Sequence, residues 1–253
     1  MTTTDDTRAD RQPPVPAGGA RPDARGLWRI GLALIAPLPM LAKGLQYVLS
    51  PVDGDAPFRD TVVAYQADLG RMALLVWLDV VFGALLVPAT VALVWAARRG
   101  APRLATAGAL LSLPAFLTAF FVLAGPHPAV LTAKYGLNLD AVAAMTQAAE
   151  SDPASLVVGL LFLIGIVVGL PVLGIALWRS HAVSLWLAAA IVLGAGTHPF
   201  VPGHLGQGIG LLIAAIGFAG ASLALLRTTN DDFDLPPVTP ADNRRTHAAP
   251  GRR

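Results

Sequence analysis

MALLVWLDVVFGALLVPATVALVWAARR, residues 72–99, decides the fold. From Met72 to Ala97 it carries one charged residue, Asp79, and it ends on Trp95 followed by Arg98 and Arg99. A helix crossing the hydrocarbon core of a bilayer needs about 20 apolar residues at roughly 1.5 Å each. Backbone groups in lipid must bond within their own segment, so a run this apolar is a helix. Short alternating segments of the barrel type are not seen.

Working outward, five further runs read the same way. Residues 27–49, 72–97, 104–125, 154–178, 182–199 and 205–226 predict an all-α bundle of six transmembrane helices. The fifth is the thinnest, interrupted by Gly194, Gly196 and Pro199. The first is too long for a signal peptide and lacks a following small-x-small site, so it reads as an uncleaved anchor.

Composition agrees. Of 253 residues, 55% are hydrophobic and 13% charged, and the mean hydropathy is +0.61. Soluble domains carry about 25% charged residues. No cysteine is present, which excludes disulfides, thiolate catalysis and cysteine-ligated metals. The arginines behind the pI near 9.4 sit in tails and loops, where they predict contact with anionic lipid headgroups. No basic patch with interleaved aromatics points to nucleic acid.

Orientation follows from the cations. Fourteen of 18 lie in the two tails, the 2–3 loop (Arg98, Arg99, Arg103) and the 4–5 loop (Arg179). The opposite side holds Arg59, Arg71 and Lys134. This bias predicts both termini in the cytoplasm of a cell with an inner membrane. Trp28, Trp95, Trp178 and Trp186 fall at the same interface, where indoles anchor well. The tails, 1–26 and 227–253, are polar and proline-rich, without an apolar stripe to repay ordering, and read as disordered.

Two outer loops are patterned. Phe58, Val62, Tyr65 and Leu69 recur at helical spacing, as do Leu139, Val142, Met145 and Ala149 between an N-cap at Asn138 and a stop at Pro153. Both predict short amphipathic helices on the outer face, either closing loop ends or roofing a cavity.

A possible parallel repeat joins spans 2–3 to spans 4–5. Ala-Gly-x-His-Pro occurs at 124–128 and again at 195–199, and Pro88 and Pro171 each precede a Trp-containing, arginine-capped end by seven residues. Parallel repeats of this kind occur in transporters, with sites at the repeat interface.

Charged side chains within spans are often functional. Lys43 and Asp79 lie on adjacent antiparallel spans, both roughly 9–11 Å below the outer boundary. They predict an ion pair. Gln46 shares the face of Lys43. His127, His198, His204 and Gln207 lie at outer helix ends, completing a predicted polar pocket open to the outside. The pair serves either helix packing or a ligand. Imidazoles suit zinc, copper or iron, but these stand beside prolines at helix ends, where capping is the plainer role, so neither metal nor cofactor is expected. Gly165-x-x-x-Gly169 and Gly206-x-x-x-Gly210 predict close helix packing within the chain. No Walker loop, nucleophile elbow or His-Glu-x-x-His is present, so no catalysis is expected.

Leu-Leu-Val-Pro at 85–88, followed by Ala-Arg-Arg-Gly-Ala-Pro-Arg-Leu at 97–104, and Gly-Ile-Ala-Leu-Trp-Arg-Ser at 174–180 resemble uncharacterised multi-pass inner-membrane proteins of GC-rich bacteria. The resemblance implies a bacterial inner membrane and no particular chemistry. The expectation is a membrane protein without catalysis, with a small-solute transporter or binder as one alternative and a membrane metalloenzyme using His127, His198 and Asp79 as the other.

Overall fold

The computed structural model describes residues 23–123 and 127–234; the side chains of 119–123 and of residue 198 lie outside that description. In chain order the helices are α1 (Arg25–Ile35), α2 (Leu38–Val48), α3 (Phe58–Ala67), α4 (Leu69–Ala97), α5 (Pro102–Leu123), α6 (Pro128–Tyr135), α7 (Leu139–Ser151), α8 (Pro153–Ile164), α9 (Leu170–Arg179), α10 (Leu185–Thr197), α11 (His204–Arg227) and α12 (Asn230–Phe233). A π turn, Gly165–Gly169, joins α8 to α9, and a 3₁₀ turn, His198–Phe200, follows α10. The described residues contain no strand.

Four segments are long and apolar enough to cross a membrane: Arg25–Val48, Leu69–Ala97, Pro153–Arg179 and His204–Arg227. α5 is apolar over 22 residues. α10 is apolar but has only 13, or about 20 Å of helix, shorter than the 182–199 span expected from sequence. The six columns form a ring in which α2 touches α4, α4 touches α5, α5 touches α8 and α9, α9 touches α10, α10 touches α11, and α11 returns to α2. Phe116, Phe218, Leu86, Leu93, Leu173 and Ile191 fill the interior.

Prolines explain the irregularities. The first expected span, 27–49, is broken at Ala36–Pro37. Pro37 has no N–H for the carbonyl of Ala33. The Ser222 hydroxyl of α11 donates to that carbonyl instead, so the freed group is bonded inside the bundle. Pro171 likewise cannot bond Val167, and just before it the ladder slips to the π register, with Leu170 N–H on Gly165 O. α5 packs hard against this turn. A Cβ at Gly165 would lie 2.6 Å from that of Ala115, and one at Gly169 would overlap the Ser112 hydroxyl. The Gly165–Gly169 pair therefore serves packing within the chain.

The two ends of the ring differ. At one end the starts of α1, α5 and α10 meet the ends of α4, α9 and α11. Here the tail expected to be disordered from 227 begins in order. Thr229 caps α12, and Phe233 is buried with Leu32, Ala33, Ala36, Ala92 and Leu225. A single large apolar side chain finds a slot between α1, α4 and α11 that the tail's polar composition hid. At the other end, α3, α6 and α7 form a cap. α3 and α7 match the two expected amphipathic helices, but Leu69 belongs to α4, because Asp68 breaks the run and caps α4 through Arg71 N–H. α6 was not foreseen, and it packs on α3 through Val62, Ala129 and Ala133.

The first Ala-Gly-x-His-Pro stretch falls partly outside the described residues. Its histidine, His127, caps α6, whereas the second histidine, His198, opens the 3₁₀ turn. Pro88 sits in an unbroken helix, whereas Pro171 follows the π turn.

Candidate functional site

Beneath the α3–α6–α7 cap lies a cavity of about 740 Å³. Ligand cavities run roughly 300–1,000 Å³. Its floor comes from α2 and α4. On α2, Lys43, Gln46 and Tyr47 follow i, i+3, i+4 spacing and share one face. Asp79 of α4 meets them: Lys43 Nζ donates to Oδ1 at 2.7 Å and Gln46 Nε2 to Oδ2 at 3.0 Å. The Lys43 side chain is 12% exposed and that of Asp79 32%, so the carboxylate is the more open partner. The Lys43 ammonium also lies 4.9 Å from the Tyr47 ring centre and 5.4 Å from that of Phe82, within cation–π range. Gln46 Oε1 is buried and has no donor among the described residues.

Close approach of two helices fixes the height of this floor. α2 crosses α11 at Gly44 and Gly208, where a Cβ on either would come within about 3 Å of the other's carbonyl oxygen (3.1 and 2.8 Å). The next residue after Gly44 on the cavity face is Gln46, so the crossing sets where the polar cluster stands.

One wall is stitched from the loop after α2 and the start of α11. His204 Nδ1 donates to the Val52 carbonyl at 2.6 Å, and its backbone N–H donates to Asp53 Oδ1 at 2.8 Å. Asp53 thereby places a negative charge at the N-terminus of α11, the favoured arrangement. The His204 ring stacks on Tyr47, with centres 4.8 Å apart and planes 9° from parallel. Arg71 Nε donates to Leu49 O at 2.6 Å, tying the end of α2 to the start of α4.

The roof is polar. α7 presents Ala143, Thr146, Gln147 and Glu150 to the cavity, while Met145 is 60% exposed on the outside. Of its apolar stripe, Leu139 packs on the Val62–Ala129–Ala133 cluster and Val142 is half-buried, so only the Met145 side turns away. α3 contributes Phe58, Thr61 and Tyr65. Burial raises the Tyr65 phenol above its ordinary value, and the Asp79 charge adds to this, so it remains a neutral hydroxyl. His127 Nδ1 accepts from Ala129 N–H at 3.3 Å, which requires that nitrogen to be unprotonated. The protein packed around the ring lowers its pKa, with Glu150 and Asp79 opposing and Lys43 assisting, although its outer edge stays exposed.

Of the seven residues singled out from sequence, Lys43, Gln46, Asp79, His127 and His204 line one cavity. Gln207 does not: its Nε2 donates to Val201 O at 3.2 Å, folding back on the turn before α11. The His198 side chain lies outside the described residues. Sequence reasoning missed Tyr47, Asp55 and Glu150, and it placed Phe58 and Tyr65 on an outer helix that could roof a cavity without naming them as pocket residues. Tyr47 was findable as the residue one turn on from Lys43. The α7 face was findable as the polar stripe opposite Val142 and Met145. Among the described residues, no three of His, Asp and Glu are grouped to hold a metal ion. No protein-family model, curated protein or solved structure matches the chain.

Proposed function

We propose that this chain is a six-span inner-membrane protein, cytoplasmic at both ends, that binds a small polar solute from the outer side and performs no chemistry on it. The observation that carries this reading is the Lys43–Asp79–Gln46 cluster at the floor of the roofed 740 Å³ cavity. A charge pair used only for packing is normally enclosed by side chains. Here the carboxylate opens onto a space large enough for a solute. The cation bias supports the orientation, which puts the cavity outside. The resemblance to bacterial multi-pass proteins supports the inner membrane.

Two measurements test the reading. Because the chain has no cysteine, single substitutions report cleanly. Thr146→Cys is expected to react with a membrane-impermeant maleimide on intact cells, and Arg103→Cys only after the membrane is opened; the reverse pattern refutes the topology. A library of polar solutes is expected to contain one that saturably raises the melting temperature of the purified protein. That response should be lost in Thr146→Trp, which fills the cavity from its roof. If no solute of any class does so, the binding reading fails.

A further inference from the structure

We infer that the solute is a small organic cation, an ammonium-bearing molecule; this assignment of ligand class rests on reading the cavity as a binding site. Charge balance is the first argument. Asp53, Asp55, Asp79 and Glu150 line the cavity, and the fixed cation against them is Lys43. Lys43 is spent on Asp79, and Asp53 is held by the His204 amide. The side chains of Asp55 and Glu150 have no hydrogen bond or ion pair with any described residue, and both residues are exposed. A cation entering there is attracted, whereas an anion meets two uncompensated carboxylates.

The cavity already shows how it holds an ammonium. Lys43 Nζ sits on a carboxylate, over the faces of Tyr47 and Phe82. Tyr65 and Phe58 supply further rings to the same space. Ring faces attract cations most strongly where water is excluded. The hydrogen-bond inventory points the same way. Gln46 Oε1 is a buried acceptor without a donor, and His204, whose Nδ1 hydrogen is on Val52, offers its Nε2 lone pair when neutral. Such a site wants N–H donors from its ligand. An anion needs the opposite, and Lys43, the ammonium among the described lining residues, is already paired with Asp79.

The test uses the full chain, purified in detergent, at constant ionic strength. Choline, tetramethylammonium and putrescine are the cationic probes, succinate the anionic one and glucose the neutral one. Thermal shift and titration calorimetry are the readouts. At least one cation is expected to raise the melting temperature saturably. The paired substitution Asp55→Asn with Glu150→Gln is expected to weaken its binding at least tenfold while leaving the ligand-free melting temperature unchanged, since neither carboxylate holds the fold. Asp79→Asn is expected to weaken it further. If succinate or glucose binds instead, and Thr146→Trp abolishes that binding, the cavity stands as a site but the cation assignment is overturned. If a cation binds with unchanged affinity in both carboxylate variants, it binds elsewhere and the assignment is again overturned. If none of the cations produces a saturable shift, the assignment is wrong.

Discussion

The two ends of this bundle hold similar polar groups and treat them in opposite ways. At the arginine-rich end, donors are pressed onto carbonyls in a closed cluster. Arg29 Nη1 reaches Leu226 O at 2.8 Å and Thr228 O at 2.6 Å, finishing the last turn of α11. Arg98 donates to Phe233 O and stacks 3.9 Å from the Trp95 ring centre. Arg99 binds Asp232 at 2.9 Å. Phe233 fills the remaining space. At the capped end, a carboxylate, an ammonium and an amide are satisfied mostly by one another, and a cavity stands over them. The 740 Å³ cavity lies at the second end, with residues of the added helices α3, α6 and α7 in its lining.

The strongest way to break this comparison is at Asp79. Asp79→Ala strands a partly buried ammonium and is expected to cost about 3 kcal/mol. Adding Lys43→Ala should recover part of that loss, because no charge is then left unpaired. Equal melting losses for the single and double variants would mean the pair is effectively solvated, and the contrast with the closed end would weaken.

Phe233→Ala tests the closed end. Loss of a buried phenyl costs about 3–5 kcal/mol in a core. At a four-residue helix whose local unfolding limits the damage, about 2 kcal/mol is expected. Proteolysis after α11 should speed up, and solute binding at the far end should be unchanged. A change in solute affinity would show that the ends are coupled.

Ser222→Ala is milder. It leaves the Ala33 carbonyl without its donor, at a cost of about 1 kcal/mol. Chemical denaturation should register that loss, and a variant as stable as the parent would mean the proline break in the first span needs no partner.

pH separates the ends with the smallest effects. The lowered pKa of His127 means the folded chain binds fewer protons there than the unfolded chain. Its contribution is full above about 6.5 and is lost as pH falls through the lowered value. Hydrogen bonds from Thr229 and Arg99 lower Asp232, so its contribution is full above about 3.9 and disappears in stronger acid. Ring and carboxyl titrations by NMR should show two distinct windows. A His127 ring titrating at or above the ordinary histidine value would contradict its capping role.

Much of this was legible beforehand, for identifiable reasons. Apolar length and the internal bonding rule predicted helices, and every described element is helical. Equal depth on neighbouring spans predicted the Lys43–Asp79 contact. The α7 helix was legible from Asn138, whose side chain accepts from Ala141 N–H at 2.9 Å. What was not legible depends on contacts far apart in sequence. Gln207 looked like a pocket residue because helix position gives depth but not the direction a side chain takes. Phe233 looked like tail because a single apolar residue has no periodicity.

The sequence alone determined that the chain is helical and made for lipid, because hydrophobic length and backbone bonding are local properties of each segment. It also determined which charges had to find partners, since an ammonium and a carboxylate that deep are costly alone. Only the tertiary structure decided that α3, α6 and α7 close over those charges without filling the space, and that α12 folds back at the other end. Those outcomes depend on how surfaces from distant segments fit together, and shape complementarity between them is not written in the spacing of any one helix.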